Sequence, residues 1–217
     1  MKRTTRTRGL LVALAFAPAT RAAHAPAAAG DPHAHCQEAA PAPAAPSASA
    51  SRVDVEVVNA VLLDQDGAEV HFKSDVVGDR LVVMNFVYTT CTTICPLLSA
   101  RFARLQERLG DRQGRDVFLV SISVDPNRDT PARLKAYAAR HGARAGWSHL
   151  TGTKGDVDRV LKGLGAYTGN FVDHAPMILV GDGRTGRWAR LNGFPAPDQV
   201  LAVIDDLLAA RRQAAME

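Results

Sequence analysis

The sequence predicts an α/β domain in which a central mixed β-sheet is flanked by helices and preceded by an N-terminal β-hairpin. Three observations predict it. Short, strongly apolar runs alternate with segments whose apolar residues recur at helical spacing. A strand-helix-strand unit and an inserted helix give way to a second hairpin and a closing helix. The nearly continuous run Leu81-Val82-Val83-Met84-Asn85-Phe86-Val87 reads as a central strand covered on both faces.

Taken in order, Val53, Val55 and Val57 alternate with Asp54 and Glu56 as in a half-buried strand. Asp64-Gln65-Asp66-Gly67 carries turn chemistry, so Glu69-Val70-His71-Phe72 is expected to return as the hairpin partner, with His71 at the surface or rim. After the central strand, Pro96 suits the first turn of a helix. Leu97, Leu98, Phe102, Leu105 and Leu109 continue that helix to Gly110. The remaining expectations are a strand over 117–124, a helix over 130–141, a short strand over 147–150 and a helix over 155–164. The segments 177–180 and 187–191 flank the turn Gly181-Asp182-Gly183-Arg184 as a hairpin, and 198–210 closes the chain as an amphipathic helix. This order is thioredoxin-like.

A chain of 217 residues with 47% apolar and 22% charged residues suits one soluble globular domain plus a leader or tail. The formal charge of +4 is misleading: Lys2, Arg3, Arg6, Arg8 and Arg21 precede Ala25 without an acid, leaving 21 bases against 22 acids in the rest. So balanced a remainder carries no diffuse electrostatic footprint for nucleic acid. The leading bases, the apolar run over 10–17 and small-residue sites such as Ala23-His24-Ala25 are laid out as a secretory signal peptide. The apolar run is well short of the ~20 residues of a membrane span, with a short uncleaved anchor as the alternative. Residues 1–25 are therefore read as leader or anchor, 26–51 as an Ala/Pro-rich linker and 52–217 as the folded domain. The implied location is periplasmic or otherwise extracytoplasmic.

Outside the cytosol, disulfides form and a dithiol needs its own reductant. Three cysteines are too few for a stapled scaffold. Cys36 lies in the linker within His33-Ala34-His35-Cys36, either metal ligands on an arm or accidental composition of a tether. His35 stands where a lipoprotein cysteine would need a small residue. Cys91 and Cys95 are spaced four apart where the central strand gives way to a helix N-terminus, which puts both sulfurs on one side. Free N–H groups and the helix dipole favour thiolate there, the form that binds metal or attacks disulfides. Of the seven histidines, His174 precedes the strand starting at Met177, on a loop that in thioredoxin folds faces the cysteine-bearing helix end. Two thiolates and an imidazole suit Cu(I) and can also hold Cu(II). A structural zinc site would need four closed ligands, and the folded domain has no second cysteine pair.

The chain resembles the Sco/SenC proteins in three ordered motifs. They are Tyr88-Thr89-Thr90-Cys91-Thr92-Thr93-Ile94-Cys95-Pro96, the segment Ser121-Ile122-Ser123-Val124-Asp125-Pro126-Asn127-Arg128-Asp129-Thr130-Pro131, and Asp173-His174. The resemblance implies a copper metallochaperone serving the copper-bearing subunit of cytochrome c oxidase or another cuproprotein. Cys91, Cys95 and His174 would be the copper ligands, and a copper donor and a thiol reductant would be further partners. It also implies thiol-disulfide reductase activity of the Cys91/Cys95 pair. Asp125, at the family's Asp-Pro position, either supports the site or is a turn residue before Pro126. Pro176 falls where thioredoxins have a cis-proline, although trans is the default for such bonds. Thr92 and Thr93 replace the Pro and acidic residue usual between the cysteines, which should lower the thiol pKa values. The loop before Gly183 is also short.

Two rival readings remain: a thiol-disulfide oxidoreductase with no obligatory copper role, and a peroxidase-like enzyme suggested by Thr89 and Thr90 before a helix-start cysteine. The leader itself yields a prediction. Residues 1–51 fused to a reporter active only after export should give an active reporter. A wholly cytoplasmic product would reject export.

Overall fold

The computed structural model describes residues 50–214 and Met216. The leader and the linker to residue 49, including His24, His33, His35 and Cys36, lie outside the described residues. The strands are β1 (Ser51–Val53), β2 (Val61–Leu63), β3 (Glu69–His71), β4 (Leu81–Val87), β5 (Val117–Ser123), β6 (Trp147–Leu150), β7 (Met177–Asp182) and β8 (Arg187–Asn192). The α-helices are α1 (Ile94–Leu109), α2 (Pro131–Arg140), α3 (Lys154–Gly163) and α4 (Pro197–Ala214).

Strand β4 is central, as its apolar run predicts. The sheet order is β1-β8-β7-β4-β5-β6, with β4 parallel to β5 and antiparallel to β7. All of β4 is buried. Its residues alternate between two cores, since successive strand side chains point to opposite faces. Leu81 and Val83 pack with Leu98, Phe102 and Leu105 of α1 and with Val200 and Ile204 of α4. Val82, Met84 and Phe86 pack with Val157, Val160 and Leu161 of α3 and with Leu62 and Phe72. Within the β7–β8 hairpin Gly181 is obligatory, because a Cβ there would stand 2.2 Å from the Trp188 ring.

The helix boundaries follow local chemistry. Thr130 precedes Pro131 and its hydroxyl accepts the Arg133 N–H, while Thr153 accepts the Asp156 N–H in the same way at α3. Gly110 ends α1 at φ 52°, a conformation that favours glycine. In the β2–β3 turn the Asp64 carboxylate accepts the N–H groups of Asp66 and Ala68.

Three local expectations are corrected. The first paired strand is Ser51–Val53, joined to β8, rather than a strand running from Val53. Residues 54–57 keep the alternating exposure of a strand without pairing in the sheet. The return strand stops at His71, because Asp75 turns back to accept the His71 N–H at 2.8 Å and Phe72–Val77 coils into a π-helical turn. Every peptide bond among the described residues is trans, that of Pro176 included.

His149, on β6, is fully buried, and neither ring nitrogen has a hydrogen-bond partner. The ring stacks on Trp147 at 5.2 Å and meets the Tyr137 edge at 6.2 Å, with His141 beyond Tyr137. Burial, aided by the charge of nearby His141, pushes its pKa down to about 4. The unfolded chain therefore binds a proton that the folded ring refuses, and stability falls as pH drops from the ordinary histidine value towards 4. Between pH 7 and pH 5 this should cost about 2 kcal/mol. In urea denaturation at those two pH values, His149→Leu should remove most of that loss. An unchanged pH slope would exclude His149 as its source.

Candidate metal centre

Three loops converge at one end of the sheet's central strands because of strand direction. The parallel strands β4 and β5 both end there, and the antiparallel strand β7 begins there. Residues 88–93, residues 124–130 and the segment before Met177 are thereby neighbours.

Cys91 and Cys95 are free thiols, both buried, packed with Val87 and Tyr137 and flanked by Tyr88. The Cys95 N–H, in the first turn of α1, points at the Cys91 sulfur from 3.3 Å. Burial alone would raise the Cys91 thiol. The N–H groups of Cys95 and Thr93, with the neighbouring Cys95 thiol and Tyr88 hydroxyl, outweigh it and bring the pKa down to about 7. Cys95 goes the other way. Its deeper burial, together with the Cys91 and Asp129 charges, pushes its thiol up to about 12. The helix start therefore acts on the two thiols unequally: Cys91 ionises readily and Cys95 stays protonated.

His174 is buried on the other side of the strand end, its ring set edge-on to Phe86 at 5.4 Å. Neither ring nitrogen makes a well-formed hydrogen bond, and burial, opposed by the nearby Ala166 backbone, lowers its pKa, which favours the neutral ring and its lone pair. Because Val87 and Phe86 point to opposite faces, the sulfurs and the imidazole approach the end of β4 from opposite sides. Among the described residues no three His, Cys, Asp or Glu side chains are already gathered at metal-ligating distance. The structure brings the two cysteines together and places His174 on the neighbouring segment before β7. The donor types still suit a soft cation: a low-pKa thiolate, a second sulfur and an unpartnered neutral imidazole.

Asp125 is 3% exposed and pairs with Arg128 at 3.0 Å, while Ser123 Oγ accepts its N–H. Its carboxylate bonds Arg128 and not a cysteine. Sequence reasoning overlooked Asp129. This carboxylate, 1% exposed, accepts the Thr89 N–H at 3.1 Å, the Thr89 hydroxyl at 2.6 Å and the Ser123 hydroxyl at 2.6 Å. An acid followed by Thr130-Pro131 reads as a helix start, and that local signal concealed its long-range partner. His71 is exposed beside Asp75, and His141 caps the C-terminal end of α2.

Comparison with known proteins settles the family. The SCO1/SenC family model matches residues 57–208. The chain belongs to the SCO1/SenC family. The SCO1 protein homolog of Bacillus subtilis (strain 168) is 35% identical over 101 residues, which are 46% of this chain and 51% of that protein. The chain spans about half the length of the curated relatives it matches. Among solved structures, BsSco, a member of the Sco family of cytochrome c oxidase assembly proteins in which a disulfide switch was identified, is 27% identical with a TM-score of 0.61. The match covers 72% of this chain and 95% of that one. Bradyrhizobium japonicum ScoI with copper bound is 26% identical with a TM-score of 0.54, covering 71% and 99%. The fold shared with these SCO1/SenC structures is thioredoxin-like.

The split thiols of this SCO1/SenC site predict selective chemistry. Brief alkylation of the reduced protein should modify Cys91 with a pH midpoint of about 7 and leave Cys95 untouched, read by peptide mass mapping. Equal labelling of both would contradict the site's electrostatics.

Proposed function

We propose that this chain is an exported copper metallochaperone. It takes copper on Cys91, Cys95 and His174 and passes copper, or reducing equivalents, to the copper centre of a respiratory cytochrome c oxidase. The observation that carries the reading is a thiolate and a second sulfur at a helix start, next to a loop that offers a buried imidazole with no partner. Soft thiolates capture Cu(I), and adding the imidazole gives a set able to hold Cu(II) as well. The basic, short-apolar leader supports a location outside the cytoplasm. Copper-bound ScoI and the oxidase-assembly role of the Sco family support the cargo and the recipient.

The separation of the two thiols also favours a second activity, disulfide reduction. The Cys91 thiolate attacks a partner disulfide, forming a mixed disulfide and releasing one partner thiolate. Cys95 then loses its proton and attacks the Cys91 sulfur, expelling the second partner thiolate. Two electrons pass from the dithiol to the partner, which leaves reduced while this chain holds a Cys91–Cys95 disulfide. A thiol reductant must restore the pair before it can bind Cu(I) again.

Reduced protein titrated against a Cu(I) chelator should take up one copper, and Cys91→Ala or Cys95→Ala should abolish tight binding. His174→Ala should sharply weaken Cu(II) binding yet leave reduction of a model disulfide largely intact. If His174→Ala held both copper states like the parent, the three-ligand site would be wrong and the oxidoreductase reading would stand in its place.

A further inference from the structure

His174 lies between two anchors. On its C-terminal side, Gly193 donates its N–H to the Pro176 carbonyl at 2.8 Å and β7 begins at Met177. On its N-terminal side the chain is fixed at Phe171. Of the intervening residues only His174 is buried, with Val172, Asp173 and Ala175 exposed. Before Phe171, residues 167–170 are exposed or half-buried, and the nearest buried residue is Ala166.

Phe171 is held on two sides. Its ring meets Tyr88 edge-on at 5.1 Å, and the Arg128 guanidinium carbon lies 5.6 Å from its centre. Both jaws are stiff for the same reason. Tyr88 immediately precedes Thr89, which Asp129 binds through its N–H and its hydroxyl, and Arg128 immediately precedes Asp129. Asp125 steadies the guanidinium from the side at 3.0 Å. Tyr88 also packs against both the cysteine cluster and the core that carries Phe86 and His174's neighbours. The Phe171 carbonyl accepts the His174 N–H at 3.3 Å, which links the clasped ring directly to the histidine backbone.

We propose that Phe171 is a positioning residue whose clasp between Tyr88 and Arg128 shortens the tether of His174 and so favours the copper state that needs the imidazole. With Phe171 held, the segment around His174 is 172–175, its start turned as a 3-10 helix over Phe171–Asp173 against Asn170. Released, the segment is held only by the local bonds of Thr168 and Asn170 and by the Lys162 contact with Tyr167 at 4.7 Å, and a longer stretch must be ordered each time the imidazole closes onto copper. Loop closure and residue ordering together predict a loss of roughly 3- to 30-fold in the imidazole's contribution. The inference rests on the three-ligand reading above.

The test uses the full chain, reduced, with a Cu(II) salt as one probe and a Cu(I) chelator competition as the other. Phe171→Ala should lower Cu(II) affinity within that range and alter the Cu(II) electron paramagnetic resonance spectrum, while Cu(I) affinity moves far less. Without metal, amide exchange over 172–175 should quicken. Phe171→Tyr keeps the ring and should restore the parent behaviour. Arg128→Lys keeps charge beside Asp125 but loses the planar stack, and should show the same effect at smaller size. Equal loss of both copper states in Phe171→Ala would mark a merely structural residue and overturn the proposal. So would parent-like Cu(II) binding by Phe171→Ala and Arg128→Lys when His174→Ala is weakened, an outcome that leaves the copper reading standing. If His174→Ala also binds Cu(II) like the parent, the copper reading itself fails and the clasp with it.

Discussion

Asp129 sits beneath the site with almost no solvent contact, and what it accepts determines how the site is built. A buried carboxylate is stable only when its oxygens are well supplied with donors, and here the donors are the Thr89 N–H, the Thr89 hydroxyl and the Ser123 hydroxyl. Hydrogen bonds to a charged group contribute about 1.5–3 kcal/mol each, so the strand-to-helix loop that carries Cys91 is firmly tied to the end of β5. No cation pairs with Asp129 among the described residues, and its charge is felt nearby. It adds to the burial that keeps Cys95 protonated, whereas Cys91, closer to the α1 N–H groups, ionises easily. One carboxylate therefore fixes the geometry of the loop and adds a small part to the asymmetry of the thiols.

That asymmetry suits both of the proposed roles, copper handling and thiol chemistry. Disulfide exchange needs one thiolate to attack and one protected thiol to resolve, and the two environments provide that order. In the proposed copper role, capture would start on the same thiolate. The soft cation would then stabilise the second sulfur as thiolate, offsetting the cost that burial imposes on Cys95.

The histidine is kept apart from the sulfurs by the pleat of β4. Val87 faces the cysteine cluster and Phe86 faces His174, so a site drawing on both must close around the strand end. A loop between fixed ends can make that movement while the sheet stays rigid. Phe171, Tyr88 and Arg128 define one of those ends.

Much was legible in the residues alone. Apolar runs and helical spacing located β4 to β8 and all four α-helices to within a few residues, because those patterns reflect burial of one or two faces, which is local information. The cysteine spacing, the helix start and the histidine before β7 were likewise visible as motifs. What the sequence could not give were relations between distant segments. Asp129 reads locally as a helix start, and only its bonds to Thr89 reveal its task. Cys91 and Cys95 look equivalent in a motif, yet their pKa values part because one lies deeper and nearer a buried charge. Phe171 reads as a loop aromatic until Tyr88 and Arg128 close on it. Hydrogen-bond partners, burial depth and the side of the sheet on which a group emerges depend on the tertiary fold, and those three quantities set the chemistry of this site.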